Sequence, residues 1–361
     1  MKKTVNQANY RPPAQGHGRN DLDKDFGKKS KKNRFSVSGV GFKEVTLKWK
    51  RYVLLVLVIA LFLYAITTVV MSVFFAQELL HPPVNPVEPI KENIAFEYSS
   101  VSFKSKDDTT TLRGWIYTPC DTSNVVILVH GLASNRFPFG MDTLDIVSTY
   151  ANINFNVLVF DLRNSGNANA TISTFGLSEK DDVLGAISYA KTLGYKNIVL
   201  HGFSTGANTA IMAASDAAEE SVGAVILDSP IVDIRRFIMF HVHQKHPDLP
   251  NFPFQYTIPL FVSLYTNNDI YNAELEKNLM EFIPRPVLLI HGDRDELVLK
   301  EDISDVYEHY LTLAVGKISL WHVPGAGHAE PFSTETDAYL QKIAGFLARL
   351  YPQAETSDTS S

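Results

Sequence analysis

A serine, a carboxylate and a histidine, each placed just after a short apolar run, are the residues in this chain best suited to chemistry. Ser204 stands in "NIVLHGFSTGAN", where Gly202-Phe203-Ser204-Thr205-Gly206 fits G-x-S-x-G. Composition alone gives this pattern in about one chain in ten of this length. The position therefore has to carry the argument. The segment before Ser204 is β-branched and apolar, and the one after it is rich in alanine. That places the hydroxyl on a turn from strand to helix, with the small Gly202 and Gly206 permitting close approach. Acyl transfer by serine also needs an imidazole to take its proton, an acid to orient that imidazole, and N–H donors for the oxyanion.

The acid candidates follow "VLLIHG", where His291-Gly292-Asp293-Arg294-Asp295 carries two aspartates. Asp295 is preferred, because it lies deeper in the loop and can reach across to a histidine. Asp293 can instead cap the turn or pair with Arg294, and Asp228 after "AVIL" is a weaker third candidate. The base candidate is His328 in "HVPGAGHAE", a glycine-flanked loop after the last apolar run. His322, inside "ISLWHV", is expected to pack or face solvent. For the oxyanion, Thr205 offers an N–H at the helix start, and the turn after His130-Gly131 can aim the Leu132 N–H at the same point. His130 itself is expected to shape that turn through its ring nitrogens.

These residues must be positioned by the elements around them. From Asn124 onward, apolar runs alternate with helical candidates. "VVILV", "VLVF", "IVL", "AVILD" and "VLLI" are apolar throughout, as parallel strands buried on both faces require. Helices are expected near 140–150, over "SEKDDVLGAISYAKTLG" with a Ser178 cap and Gly194 stop, over 302–313, and at the C-terminus. "IAFEYSSVSFKS" and "TTTLRGWIYTP" predict an antiparallel N-terminal hairpin around Asp107-Asp108. The fold class is therefore α/β, a mostly parallel sheet wrapped by helices. Residues 231–284 interrupt the alternation with an aromatic-rich stretch too long for a plain loop, and predict a helical cap. His241, His243 and His246 within it read as cap histidines rather than a metal site, since neither a cysteine nor paired carboxylates accompany them.

The N-terminal part is different in kind. Residues 1–51 carry 14 Lys/Arg against 4 Asp/Glu, while the rest carries 19 against 35. This basic arm reads as disordered. Tyr52 to Ala76 is a run of 25 residues without a charge. At 1.5 Å per residue it makes about 37 Å of helix, against a hydrocarbon core of about 30 Å. A cleaved signal peptide is the rival reading, but the run exceeds a 7–15-residue h-region and "VFFAQE" offers no A-x-A-like site. A retained transmembrane helix over 52–76 is expected, with the N-terminus cytoplasmic because Lys/Arg cluster before it. The larger part of the chain is then extracellular at the cell membrane. Anionic lipid suits the arm better than nucleic acid, as aromatics are not interleaved with its charges. The Pro-rich 77–93 reads as a stiff spacer, 94–351 as the folded domain, and 352–361 as a frayed tail. The single cysteine, Cys120, excludes an internal disulfide.

Ser204, Asp295 and His328 occur in the nucleophile–acid–histidine order. With "VILVHGLASNR", "FDLRNSG", "GFSTG", "HGDRD" and "GAGH", residues 94–351 resemble the α/β-hydrolase superfamily. The resemblance is to the branch spanning prolyl-oligopeptidase-like and serine-aminopeptidase-like hydrolases, including membrane-anchored bacterial members. It implies Ser204, Asp295 and His328 as nucleophile, acid and base, with Leu132 and Thr205 as oxyanion donors. One departure is Arg163-Asn164-Ser165-Gly166, where such proteins often have Arg-Gly-x-Gly. Asn tolerates left-handed backbone angles, so the turn is expected to survive.

The expected activity is serine hydrolysis of an ester or amide, without cofactor or metal, through an acyl-enzyme. Peptidase or acyl-transfer activity with the same residues is the alternative, and a non-catalytic surface binding protein the second. A dinucleotide enzyme is disfavoured, since no G-x-G-x-x-G stands at a strand–helix turn.

Overall fold

The computed structural model describes residues 40–88, 97–168, 172–217 and 221–352. Most of the basic arm, the end of the spacer, the first residues assigned to the folded domain and the C-terminal tail lie outside these. By its internal contacts the chain divides into residues 1–60 and 61–361. The first unit holds the beginning of helix α1 (Val40–Leu80), where every side chain from Thr46's neighbour Leu47 to Ala60 is exposed. The second holds the rest of α1 and all other elements. Leu47–Leu80 is long and apolar enough to cross a membrane.

The second unit is built on an eight-stranded sheet. Its strands are β1 (Tyr98–Lys104), β2 (Thr111–Tyr117), β3 (Asn124–Val129), β4 (Asn156–Asp161), β5 (Asn197–Phe203), β6 (Ala224–Asp228), β7 (Val287–Gly292) and β8 (Ile318–Val323). They lie in the order β1-β2-β4-β3-β5-β6-β7-β8. The hairpin β1–β2 forms one edge, and β2 pairs antiparallel with β4. From β4 to β8 every pairing is parallel. The central strands are buried on both sides, and successive residues feed two separate cores. Val125, Ile127, Ile198, Leu200 and Leu289 join one core, while Val126, Leu128, Val199, Ile226 and Ile290 join the other. This explains why those strands read as unbroken apolar runs.

Helices cover each core. α2 (Thr143–Asn152) and α10 (Thr336–Leu350) bury Ile146, Tyr150, Tyr339 and Phe346 on one face. On the other lie α3 (Lys180–Thr192), α4 (Thr205–Asp216) and α8 (Lys300–Leu313). The cap contributes α5 (Ile234–Lys245), α6 (Asn251–Thr266) and α7 (Leu275–Phe282), between β6 and β7 as the sequence suggests. A short α9 (Pro331–Thr334) precedes α10.

Three local expectations need revision. Helix α3 starts at Lys180, and Ser178 does not cap it: the Glu179 carboxylate bonds back to the N–H of Thr174 and Gly176 instead. Helix α1 is longer than 52–76 at both ends: it begins at Val40, inside the arm expected to be disordered, and continues past Ala76 to Leu80. Nor do residues 77–88 hold the domain at a distance. Ala76 and Leu80 are fully buried, Leu80 O accepts from Ser173 N at 2.8 Å, and Asn135 Nδ2 donates to Pro86 O at 3.1 Å. Apolar side chains at 75, 76, 79 and 80 continue the helical stripe into the core of the second unit, so the prolines lie on its surface.

Candidate active site

The parallel strands run side by side, so the loops after β3, β5, β6, β7 and β8 meet at one edge. Those loops carry Leu132, Ser204, Asp295 and His328, and β6 ends on Asp228, at the carboxyl ends where an open α/β sheet presents its crevice.

Ser204 occupies the turn between β5 and α4 with φ 52° and ψ −124°. A non-glycine residue in this region stores about 1–3 kcal/mol of strain. The surroundings enforce it. Ser204 N–H donates to Asp228 O at 2.8 Å, and Ser204 O accepts from Ala207 N at 2.8 Å. A Cβ on Gly202 would lie 2.4 Å from Gly206 O, and one on Gly206 2.3 Å from the carbonyl oxygens of Val129 and His130. Both glycines are thus required by close backbone approach, and the result is a hydroxyl lifted clear of the strand.

Ser204 Oγ lies 2.8 Å from His328 Nε2, and His328 Nδ1 lies 2.8 Å from Asp295 Oδ2. A carboxylate can only accept, so Nδ1 carries the proton and Nε2 is left to accept from the serine. Asp295 is itself fixed: its Oδ1 accepts from Leu297 N at 2.8 Å and Val298 N at 2.9 Å. The carboxylate is buried, whereas the His328 side chain keeps 19% of its surface exposed. Asp293 instead accepts from Gly325 N at 2.6 Å, so it ties its loop to the loop after β8 rather than capping its own turn. His322 packs its ring against His291, 3.2 Å between their Nδ1 atoms, with Nε2 near Ser304 Oγ.

At the expected oxyanion position the two donors differ. Thr205 is the first residue of α4, where backbone N–H groups have no intrahelical acceptor. The Leu132 N–H is already engaged, donating to Thr205 Oγ1 at 2.7 Å. The turn that carries it is shaped by His130, whose Nδ1 donates to Gly131 O at 2.9 Å while Nε2 accepts from Leu162 N at 3.1 Å. Burial holds that imidazole below its ordinary pKa, so it stays neutral. Behind the loop, Arg136 forks onto Asp161 through Nε and Nη2 and stacks 4.6 Å above Trp115. After β4, Asn164 takes φ 61°, and Arg163 pairs with Asp182 at 2.8 Å. The asparagine thus adopts a left-handed angle, which its residue type tolerates.

A buried polar chain under the site has no counterpart in the sequence reading. Tyr339 OH donates to Asp228 Oδ2 at 2.9 Å, His201 Nε2 donates to Tyr339 OH at 2.9 Å, and Tyr150 OH donates to His201 Nδ1 at 2.8 Å. All four residues are fully buried. Burial pushes His201 down to about 3 and Asp228 up to about 6. Asp228 Oδ1 also accepts from Ser229 Oγ at 2.8 Å, and Ser229 Oγ accepts from Ala329 N at 3.1 Å, one residue from His328. The third acid candidate therefore braces the histidine loop rather than the imidazole.

Beside Leu132 opens a cavity of about 230 Å³, lined in part by Leu79, Pro82, Pro83, Val242 and His241. Burial lowers the pKa of His241. Its Nδ1 bonds to Phe237 O, His243 Nε2 bonds to Leu249 O, and His246 Nε2 bonds to Glu78 Oε2, so the three cap histidines point to separate partners. Glu78 also pairs with Lys245 at 2.9 Å, which holds its carboxyl below the usual range.

A family model described as alpha/beta hydrolase fold matches residues 124–256. The chain is similar to the uncharacterized protein YqkD of Bacillus subtilis, 24% identical over 248 residues, or 68% of this chain and 77% of that protein. It is also similar to the uncharacterized protein YfhR of Escherichia coli K12, 27% identical over 262 residues, 70% of this chain and 82% of that one. Among solved structures it is similar to the Pyrococcus furiosus esterase Pf2001, with a TM-score of 0.62 and 23% identity, covering 75% of this chain and 98% of that chain. The chain has the α/β-hydrolase fold.

Proposed function

We propose that this chain is a membrane-anchored serine hydrolase that cleaves carboxylic esters through an acyl-enzyme on Ser204. The observation that carries the reading is the hydrogen-bonded series Ser204 Oγ, His328 Nε2, His328 Nδ1 and Asp295 Oδ2, with Ser204 on a strained turn. Ser204 Oγ attacks the ester carbonyl and gives its proton to His328 Nε2. Asp295 stabilises the imidazolium without taking the proton. The carbonyl oxygen gains negative charge beside the N–H groups of Thr205 and Leu132, the latter released as substrate oxygen replaces the Thr205 hydroxyl. His328 then protonates the leaving alcohol, and a water activated by the same imidazole releases the acid.

The similarity to a protein named an esterase agrees with this reading, as does the apolar cavity beside Leu132. The resemblance to serine-aminopeptidase-like hydrolases raises amide cleavage as the other outcome. Holding a substrate ammonium would need an unpaired carboxylate, and Glu78, the one among the described cavity residues, is paired with Lys245 and His246. The charge-free run 52–76 with basic residues before it supports a retained anchor, N-terminus inside. A reporter fused to the C-terminus is expected to be active outside the cytoplasm, and activity inside would refute that orientation.

The catalytic reading is tested by labelling with a fluorophosphonate beside the Ser204→Ala variant, together with assays on p-nitrophenyl esters. Failure of labelling in the wild type would sink the assignment and leave a binding protein on this fold, and labelling that persists in Ser204→Ala would sink it by moving the nucleophile to another residue.

A further inference from the structure

We propose that cap helix α6 is a second membrane contact, an interfacial helix seated in the lipid leaflet beside the end of α1. The inference rests on the reading of α1 as an anchor, and its test separates the two. From Leu249 to Asn268 the chain has no charged side chain and no histidine. Helix α6 buries Phe254, Ile258 and Val262 against the cap. A helix on a water-facing surface then turns a polar face outward. This one exposes Tyr256 (55%), Leu260 (54%) and Leu264 (64%), spaced by four residues along one ridge, with Tyr265 alongside, and Phe252 (70%) is exposed at the non-helical kink where the element begins.

Its place in the molecule identifies the occupant. Ser72 Oγ of α1 lies 2.6 Å from Thr257 Oγ1 of α6, and the rings of Phe75 and Phe254 meet edge to face at 6.1 Å. A hydrocarbon core of about 30 Å takes about 20 residues of helix. Counted from Tyr52, the first residue after the basic cluster, that length ends at Met71, next to Ser72. Helix α6 is therefore fastened to α1 at the depth where hydrocarbon gives way to headgroups. Interfacial helices bury their apolar faces there, and tyrosine rings such as Tyr256 and Tyr265 are favoured there. The exposed Val69, Val70 and Phe74 of α1 extend the same apolar surface. The cap also holds α1 through Glu78, which bonds Lys245 and His246 of α5 and the residue after it. A lipid leaflet covers such a surface continuously, from the anchor onto the cap.

The test uses the full chain with Cys120→Ser, carrying an NBD fluorophore on Leu260→Cys, or on Leu264→Cys should the first variant fold poorly. Val315→Cys, at 81% exposure in the turn before β8, gives the water-facing reference. Each is reconstituted in nanodiscs of equal parts phosphatidylcholine and phosphatidylglycerol, with and without doxyl-labelled lipid. The expected result is that the Leu260 fluorophore loses most of its emission to doxyl lipid and is several-fold less accessible to aqueous iodide than that at Val315. Equal iodide access at both sites and no doxyl quenching would overturn the inference while leaving the anchor intact. Shielding from iodide without doxyl quenching, lost at one chain per nanodisc, would assign the ridge to a second copy and also overturn it. Failure of the chain to enter nanodiscs would remove the anchor and this inference together, with Ser204 labelling unaffected.

Discussion

Replacing Asp295 with asparagine probes the site with almost no change of shape. In the wild type, Oδ1 of Asp295 accepts from the N–H groups of Leu297 and Val298, and Oδ2 accepts from His328 Nδ1. An asparagine has one oxygen and one NH2 group. The two backbone donors fix the oxygen on their side, because turning the NH2 toward them would leave buried donors facing each other. The NH2 group must then face His328 Nδ1, which becomes an acceptor, and the ring proton moves to Nε2. That nitrogen can no longer take the proton of Ser204. The same exchange of tautomer in a serine protease lowers kcat about 10⁴-fold, or about 5 kcal/mol at 1.36 kcal/mol per factor of ten. The expected outcome for Asp295→Asn is a fall of 10³–10⁴ in kcat for p-nitrophenyl butyrate with KM within about threefold, since binding groups are untouched. Thermal unfolding should stay within about 1 kcal/mol of wild type, because both backbone bonds survive. A variant retaining more than a tenth of wild-type kcat would refute the argument. So would one whose loss merely follows unfolding.

Three further outcomes follow from particular contacts. Gly206→Ala places a Cβ 2.3 Å from two backbone oxygens, so a loss of about 2–3 kcal/mol with failure of fluorophosphonate labelling is expected, while Gly345→Ala, with open space around it, should not destabilise. Asp228 titrates near 6 in the fold against an ordinary 3.8, so the folded state favours the protonated form. Its contribution therefore makes stability fall as pH rises from about 4 to 6, by about 3 kcal/mol in all, and the difference between wild-type and Asp228→Asn denaturation curves should show that slope. Gln244→Trp, at the rim of the cavity beside Leu132, should exclude about two methylenes of an acyl chain. At about 0.8 kcal/mol each, kcat/KM for octanoate esters should fall about tenfold, with acetate esters unchanged.

What the sequence made legible was whatever is encoded locally. Runs apolar at nearly every position marked strands buried on both faces; a serine and an aspartate past two of them, and a histidine past the more polar edge strand β8, converge because parallel strands align their ends. Glycines at 202 and 206 signalled a close approach that the backbone distances explain. The chain from Tyr150 through His201 and Tyr339 to Asp228 was illegible, since its members lie 51, 138 and 111 positions apart and meet only in the packed core. The run at 52–76 marked an apolar helix but not its continuation to Leu80, because Gln77 and Glu78 look like an ending. Glu78 has its partners 167 and 168 residues away, on the cap. Nor did the spacing show that Thr205 offers its hydroxyl to Leu132 N–H, a contact set by two loops from different strands.

The central claim is that Ser204 forms a covalent acyl intermediate, and rapid-quench mass spectrometry with p-nitrophenyl butyrate measures it most directly. The account predicts a butyryl group on the peptide that contains Ser204, formed with a burst of one nitrophenolate per chain and absent from Ser204→Ala. Turnover of the ester by Ser204→Ala at the wild-type rate, with the peptide unmodified, would contradict it.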